Sequence, residues 1–290
     1  MKPSRSLRVP VRGLDYHVRT WGDPGAPKLF MLHGWMDVSA SFQFLVDALS
    51  GEYQVLAPDW RGFGLSATPE DGYWFPDYVA DLDALAHSLA PGEAIDVVGH
   101  SLGANVAMLY AGARPASVAH VVALDGFGIP SEPPERAPGK LRKWLDAVRE
   151  PQSFAPYANL AAVADRLQKN NPRLSRPKAE FLAQHWGEVL PDGTARLRAD
   201  PKHRLPFPTV ARMDDAYEVW RAIRAPVLWV AAADSDIGRW LAGGGEAAPE
   251  IERRFSHIPN GRLVTIADAG HMVHHDQPEA VAAQVEAFLR

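Results

Sequence analysis

The chain contains no cysteine. That excludes disulfide bonds, thiolate metal ligands and a cysteine nucleophile. Dense runs of lysine and arginine are also missing, and the formal net charge is −5, so neither nucleic acid nor an anionic membrane is an expected partner. No apolar stretch is long enough to span a bilayer, and no apolar segment follows the basic N-terminal MKPSRSLRVPVRG. Repeats and low-complexity tracts are absent as well. These absences predict a soluble, cytoplasmic protein with a small-molecule partner, and they leave a homodimer open.

What remains is an ordinary globular composition, 47% hydrophobic and 22% charged. At 290 residues the chain suits one large α/β domain with an insertion. LRVPV (Leu7–Val11) and YHVRTW (Tyr16–Trp21) read as a leading antiparallel pair. KLFMLHG, QVLAPD, AIDVVGH and VAHVVALD are continuous apolar runs, the pattern of strands buried on both faces. Amphipathic stretches at Phe42–Leu49, Tyr78–Leu89 and Ala104–Ala113 separate them. Alternating strand and helix predicts a mostly parallel sheet with helices on both faces.

The rhythm breaks after Asp125 and resumes at PVLWVA and RLVTIAD, before a closing amphipathic EAVAAQVEAFL. The intervening sequence is helical, proline-rich and irregular. The expected organisation is a core of residues 1–130 and 214–290 with a helical insertion at 131–213.

VVGHSLG (Val97–Gly103) fits G-x-S-x-G between a strand and a helix. A serine on so sharp a turn needs small residues two positions to either side. The helix that follows aims its first N–H groups at the same spot. Ser101 is therefore the candidate nucleophile.

With these motifs the chain resembles the α/β-hydrolase fold family over nearly its whole length, and within it the serine-hydrolase-like members with a GHSLG elbow and an LDGFG segment. His33-Gly34-Trp35 stands where the family carries its oxyanion turn, and Asp59–Ser66 matches the family loop D-x-R-G-x-G-x-S. The insertion falls where the family has a cap. The resemblance implies an oxyanion hole from the backbone N–H groups of Trp35 and Leu102, with His33 bracing the loop. It also implies that His271, after RLVTIADA, is the base. His274 and His275 would then be structural or surface residues in a turn leading to Asp276, the expected cap of the last helix. His100, inside the elbow, reads as a lining or packing residue.

The third member must be a carboxylate that orients the imidazole. The family's common Gly-x-x-Asp slot falls here on Ser235, which carries no charge. Asp234 and Asp236 flank that slot but point away from its register. The family's second solution places the acid after the strand that follows the nucleophile helix, where VVALDGFG supplies Asp125. Asp125 is favoured, with Asp234 and Asp236 as the alternatives.

Ser101 occupies the place where dehalogenases and epoxide hydrolases of this fold have aspartate, which argues against both chemistries. Adjacent residues such as His274-His275-Asp276 do not converge on an ion, so neither metal nor cofactor is expected. The expected activity is hydrolysis of a small apolar or aromatic carboxylic ester through an acyl-enzyme. Its alternative is a cofactor-free dioxygenase of the same fold, with His271 as base. Candidate pocket residues are His100, Phe127, Trp144 and Trp186.

Overall fold

A computed structural model describes residues 1–290. Its strands are β1 (Ser4–Val11), β2 (Leu14–Trp21), β3 (Lys28–Leu32), β4 (Gln54–Pro58), β5 (Ile95–His100), β6 (Val118–Leu124), β7 (Gly187–Val189), β8 (Ala195–Leu197), β9 (Val227–Ala232) and β10 (Gly261–Ile266). Eight of them form one sheet in the order β1-β2-β4-β3-β5-β6-β9-β10. Strands β4 to β10 of this sheet run parallel. The β1–β2 hairpin joins β4 antiparallel at one edge.

The continuous apolar runs have a direct cause. Val97, Val121 and Trp229 pack on one face of the sheet, while their chain neighbours Val98, Val122 and Leu228 pack on the other. Both faces are covered, so alternation between polar and apolar never arises. Helices α1 (Gln43–Ala48), α2 (Phe75–Leu89) and α3 (Leu102–Ala113) follow β3, β4 and β5. No helix is long and apolar enough to cross a membrane.

The segment after β6 carries α4 (Ala137–Ala147), α5 (Leu160–Asn170) and α6 (Arg176–Trp186), then the β7–β8 hairpin, before α7 (Met213–Arg221) returns to the sheet. Helices α5 and α6 share a small apolar cluster of their own, which Phe44 from α1 joins. The hairpin was not anticipated, although its turn carries Pro191-Asp192-Gly193 and Asp192 accepts the Thr194 N–H at 2.9 Å. Helix α4 buries no residue and sets Leu141 and Leu145 outward. Trp220, on α7, is a core residue packed edge-on to Trp229.

The chain closes with α8 (Ile237–Leu241), α9 (Ala247–Phe255), α10 (Val273–Asp276) and α11 (Pro278–Phe288). Here two expectations are corrected. His274 and His275 lie in the helix α10, not in a turn, and are buried, which excludes the surface option and agrees with the structural one. The cap of α11 is Gln277, while Asp276 accepts the Gly270 N–H at 2.9 Å and the Asn171 amide at 2.7 Å.

Candidate active site

Four strands end at one place. Trp35 follows β3, Ser101 follows β5, Asp125 follows β6 and His271 follows β10, all at the carboxyl edge where open α/β sheets form their sites. Ser101 has φ of 52°, a left-handed conformation for a residue with a side chain. Asp125 and Met36 share it, with φ of 45° and 54°. Each such residue costs about 1 kcal/mol, which the surrounding sheet must offset.

The elbow glycines follow from space. A Cβ on Gly99 would stand 2.5 Å from the Ala104 nitrogen, and one on Gly103 would stand 2.1 Å from the Leu32 carbonyl oxygen. Neither fits, because the strand and helix leave Ser101 too closely packed.

His271 Nε2 lies 3.1 Å from Ser101 Oγ, and His271 Nδ1 lies 2.8 Å from Asp125 Oδ2. Asp125 is 1% exposed. Its carboxylate accepts the Ala232 N–H at 3.2 Å and the Ser235 hydroxyl at 2.5 Å. A carboxylate only accepts, so the proton of neutral His271 sits on Nδ1 and the Nε2 lone pair faces Ser101.

Neither alternative acid reaches the ring. Asp234 pairs with Arg173 at 2.7 Å, and the Asp236 side chain is 91% exposed with Arg239 at 3.8 Å. Ser235, in the slot between them, donates to Asp125. Sequence reasoning counted this serine only as a missing acid.

The Trp35 and Leu102 N–H groups have no protein acceptor in loops or turns, and Leu102 opens α3, where N–H groups lack intrahelical partners. His33 supports this turn: its Nδ1 donates to the Gly34 carbonyl at 2.7 Å, and Nε2 accepts the Trp60 N–H at 2.9 Å. Burial pushes the His33 pKa down to about 4, which keeps this neutral tautomer at ordinary pH.

Above Ser101 lies a cleft of about 1720 Å³, walled by Trp35, Tyr73, Phe75, Phe127, Trp144 and Phe207 among others. Two expected pocket residues are elsewhere. Trp186 turns its indole N–H to Asp37 Oδ1 at 3.1 Å, and His100 is buried behind the elbow, donating from Nε2 to the His271 carbonyl at 2.8 Å.

The description of the alpha/beta hydrolase family matches residues 29–284. The chain belongs to that family. This alpha/beta hydrolase is 41% identical to 2-(acetamidomethylene)succinate hydrolase of Mesorhizobium japonicum, across 98% of this chain and 95% of the relative. It is 27% identical to a serine hydrolase-like protein of Danio rerio, across 100% of this chain and 89% of that one. Among solved structures, a hypothetical protein from Pseudomonas aeruginosa PAO1 superposes with a TM-score of 0.83 at 28% identity, covering 98% of this chain and 97% of that one. A hydrolase assignment follows from family and relatives. The comparisons give the dioxygenase alternative no support.

Proposed function

We propose that this alpha/beta hydrolase cleaves carboxylic esters through an acyl-enzyme, with Ser101 as nucleophile, His271 as general base and acid, and Asp125 as the group that orients His271. The single observation that carries the reading is the continuous chain from Asp125 Oδ2 through His271 to Ser101 Oγ, with contacts of 2.8 and 3.1 Å.

Attack by Ser101 Oγ on the ester carbonyl passes its proton to His271 Nε2. The imidazolium that forms is stabilised by the buried Asp125 carboxylate. The carbonyl oxygen becomes an oxyanion, and in this reading its donors are the Trp35 and Leu102 N–H groups, which have no loop or turn acceptor of their own. His271 then protonates the departing alkoxide. A water, deprotonated by the same nitrogen, cleaves the acyl-enzyme and restores Ser101.

Substrate class rests on the cleft. Aromatic walls favour an apolar or aromatic acyl group, and about 1720 Å³ exceeds what a short ester fills, which extends the range to longer ones. Residues 131–213 act in this reading as the cap, since Trp144 and Phe207 wall the cleft from that segment.

The test is labelling by a fluorophosphonate together with turnover of p-nitrophenyl esters. Ser101→Ala should abolish both, with turnover falling about a thousandfold or more. Ester hydrolysis at the wild-type rate by Ser101→Ala would overturn the proposal.

A further inference from the structure

Behind the elbow, on the side away from the cleft, three buried side chains face one another. Asp37 comes from the turn after Trp35, His100 immediately precedes Ser101, and His274 lies three residues beyond His271. Each offers one ligand atom, and the three atoms lie within 4.8 Å of one another. Asp37 Oδ2, His100 Nδ1 and His274 Nδ1 are moreover buried without any hydrogen-bond partner. Buried polar atoms are nearly always satisfied, and three orphans in one cluster point to a shared partner.

Proton accounting narrows the kind of partner. The His271 carbonyl can only accept, so His100 Nε2 holds the proton and His100 Nδ1 presents a lone pair. His274 Nε2 lies 3.2 Å from the Ser41 hydroxyl, which can accept its proton and leave the His274 Nδ1 lone pair free. Asp37 Oδ1 already accepts the Val38 N–H at 2.8 Å and the Trp186 indole N–H at 3.1 Å, so Oδ2 is the oxygen left over. In that tautomer three acceptor atoms converge, with the Ser41 hydroxyl as the donor beside them.

We propose that Asp37, His100 and His274 form a binding site for one divalent transition-metal cation of the zinc type. Two imidazoles and a carboxylate are a common donor set for such an ion. Ligands about 2.0–2.1 Å from a tetrahedral ion stand about 3.4 Å apart, so small side-chain rotations close the cluster from its present spacing. His100 also shows the usual outer arrangement of a metal-bound imidazole, whose second ring N–H donates to a backbone carbonyl.

Gly34 keeps the space beside this ring open. A Cβ there would stand 2.9 Å from His100 Nδ1. The ion would tie together the three turns that carry Trp35, Ser101 and His271. Its role in this site is to hold their spacing, not to touch substrate.

The experiment uses the whole chain, stripped with a chelator and titrated with Zn²⁺ by calorimetry and with Co²⁺ by visible absorption. One equivalent should bind, Co²⁺ should develop the intense bands of a low-symmetry nitrogen and oxygen site, and a hundredfold excess over Kd should raise Tm by about 4 °C. Asp37→Asn and His274→Gln should each remove these signals while circular dichroism verifies that the variants fold. A crystal of the wild-type chain soaked in Co²⁺ gives a reading independent of any variant: an anomalous peak among the three side chains. No saturable equivalent, signals that persist in both variants, or a peak only elsewhere would each overturn the site.

Discussion

Ser235 Oγ and the His271 ring meet on the same oxygen of Asp125, Oδ2. The serine stands in the expected Gly-x-x-Asp slot, and there it donates to Asp125. Two donors on one oxygen fix the carboxylate plane, which in turn fixes the ring.

Removing that hydroxyl should therefore lower turnover without removing the triad. Ser235→Ala is expected to reduce kcat about tenfold with little change in KM, the scale of one hydrogen bond to a charged group. Ester kinetics beside a thermal melt make the check. Wild-type kcat, or a loss matched by a collapse in Tm, would deny Ser235 a positioning role.

Asp125→Asn should cost far more. An amide can turn its NH₂ towards the imidazole and select the wrong tautomer, a change that lowers kcat about 10⁴-fold in a well-studied serine protease. Asp234→Asn and Asp236→Asn should keep most activity, because Asp234 serves a half-exposed ion pair and Asp236 is solvated. Comparable losses from Asp234→Asn and Asp125→Asn would reassign the acid.

Trp144 supplies a wall of the cleft from α4. Trp144→Ala should raise KM several-fold for long or aryl acyl esters while leaving p-nitrophenyl acetate nearly unchanged. A uniform KM increase across chain lengths would place its effect in folding of the segment instead.

Acid should destabilise the fold. Burial lowers the pKa of His33 and His185 to about 4 and of His203 and His275 to about 3, and it holds His100 and His274 well below the usual imidazole range. An unfolded chain takes up these protons below about pH 6.5, and the native chain resists doing so. Stability is thus complete above 6.5 and is lost as the pH falls towards 4. Asp37, raised from 3.8 to about 7, works in the opposite sense over that window but is one group against six. Urea unfolding at pH 7 and 5.5 should differ by at least about 2 kcal/mol. Equal values would mean that these rings are not held neutral inside.

The sheet was legible because burial on both faces writes unbroken apolar runs into the sequence. Ser101 was legible because an elbow tolerates few compositions. Asp125 emerged from a vacancy, since Ser235 could not be the acid. Long-range side-chain meetings left no such trace. His100 and His274 stand 174 positions apart, and no local pattern announces that their rings come to 4.6 Å between centroids. Trp186 was misplaced for a related reason: a tryptophan in a cap sequence reads equally well as pocket or as packing, and only Asp37 on another turn decides.

Strands β6 and β9 are parallel neighbours, with Leu124 beside Val230. Strand β9 runs two residues past that pair, to Ala232, and Ser235 beyond its end reaches Asp125. In the proposed reading the end of one strand carries the acid and the end of its neighbour carries the hydroxyl that holds it.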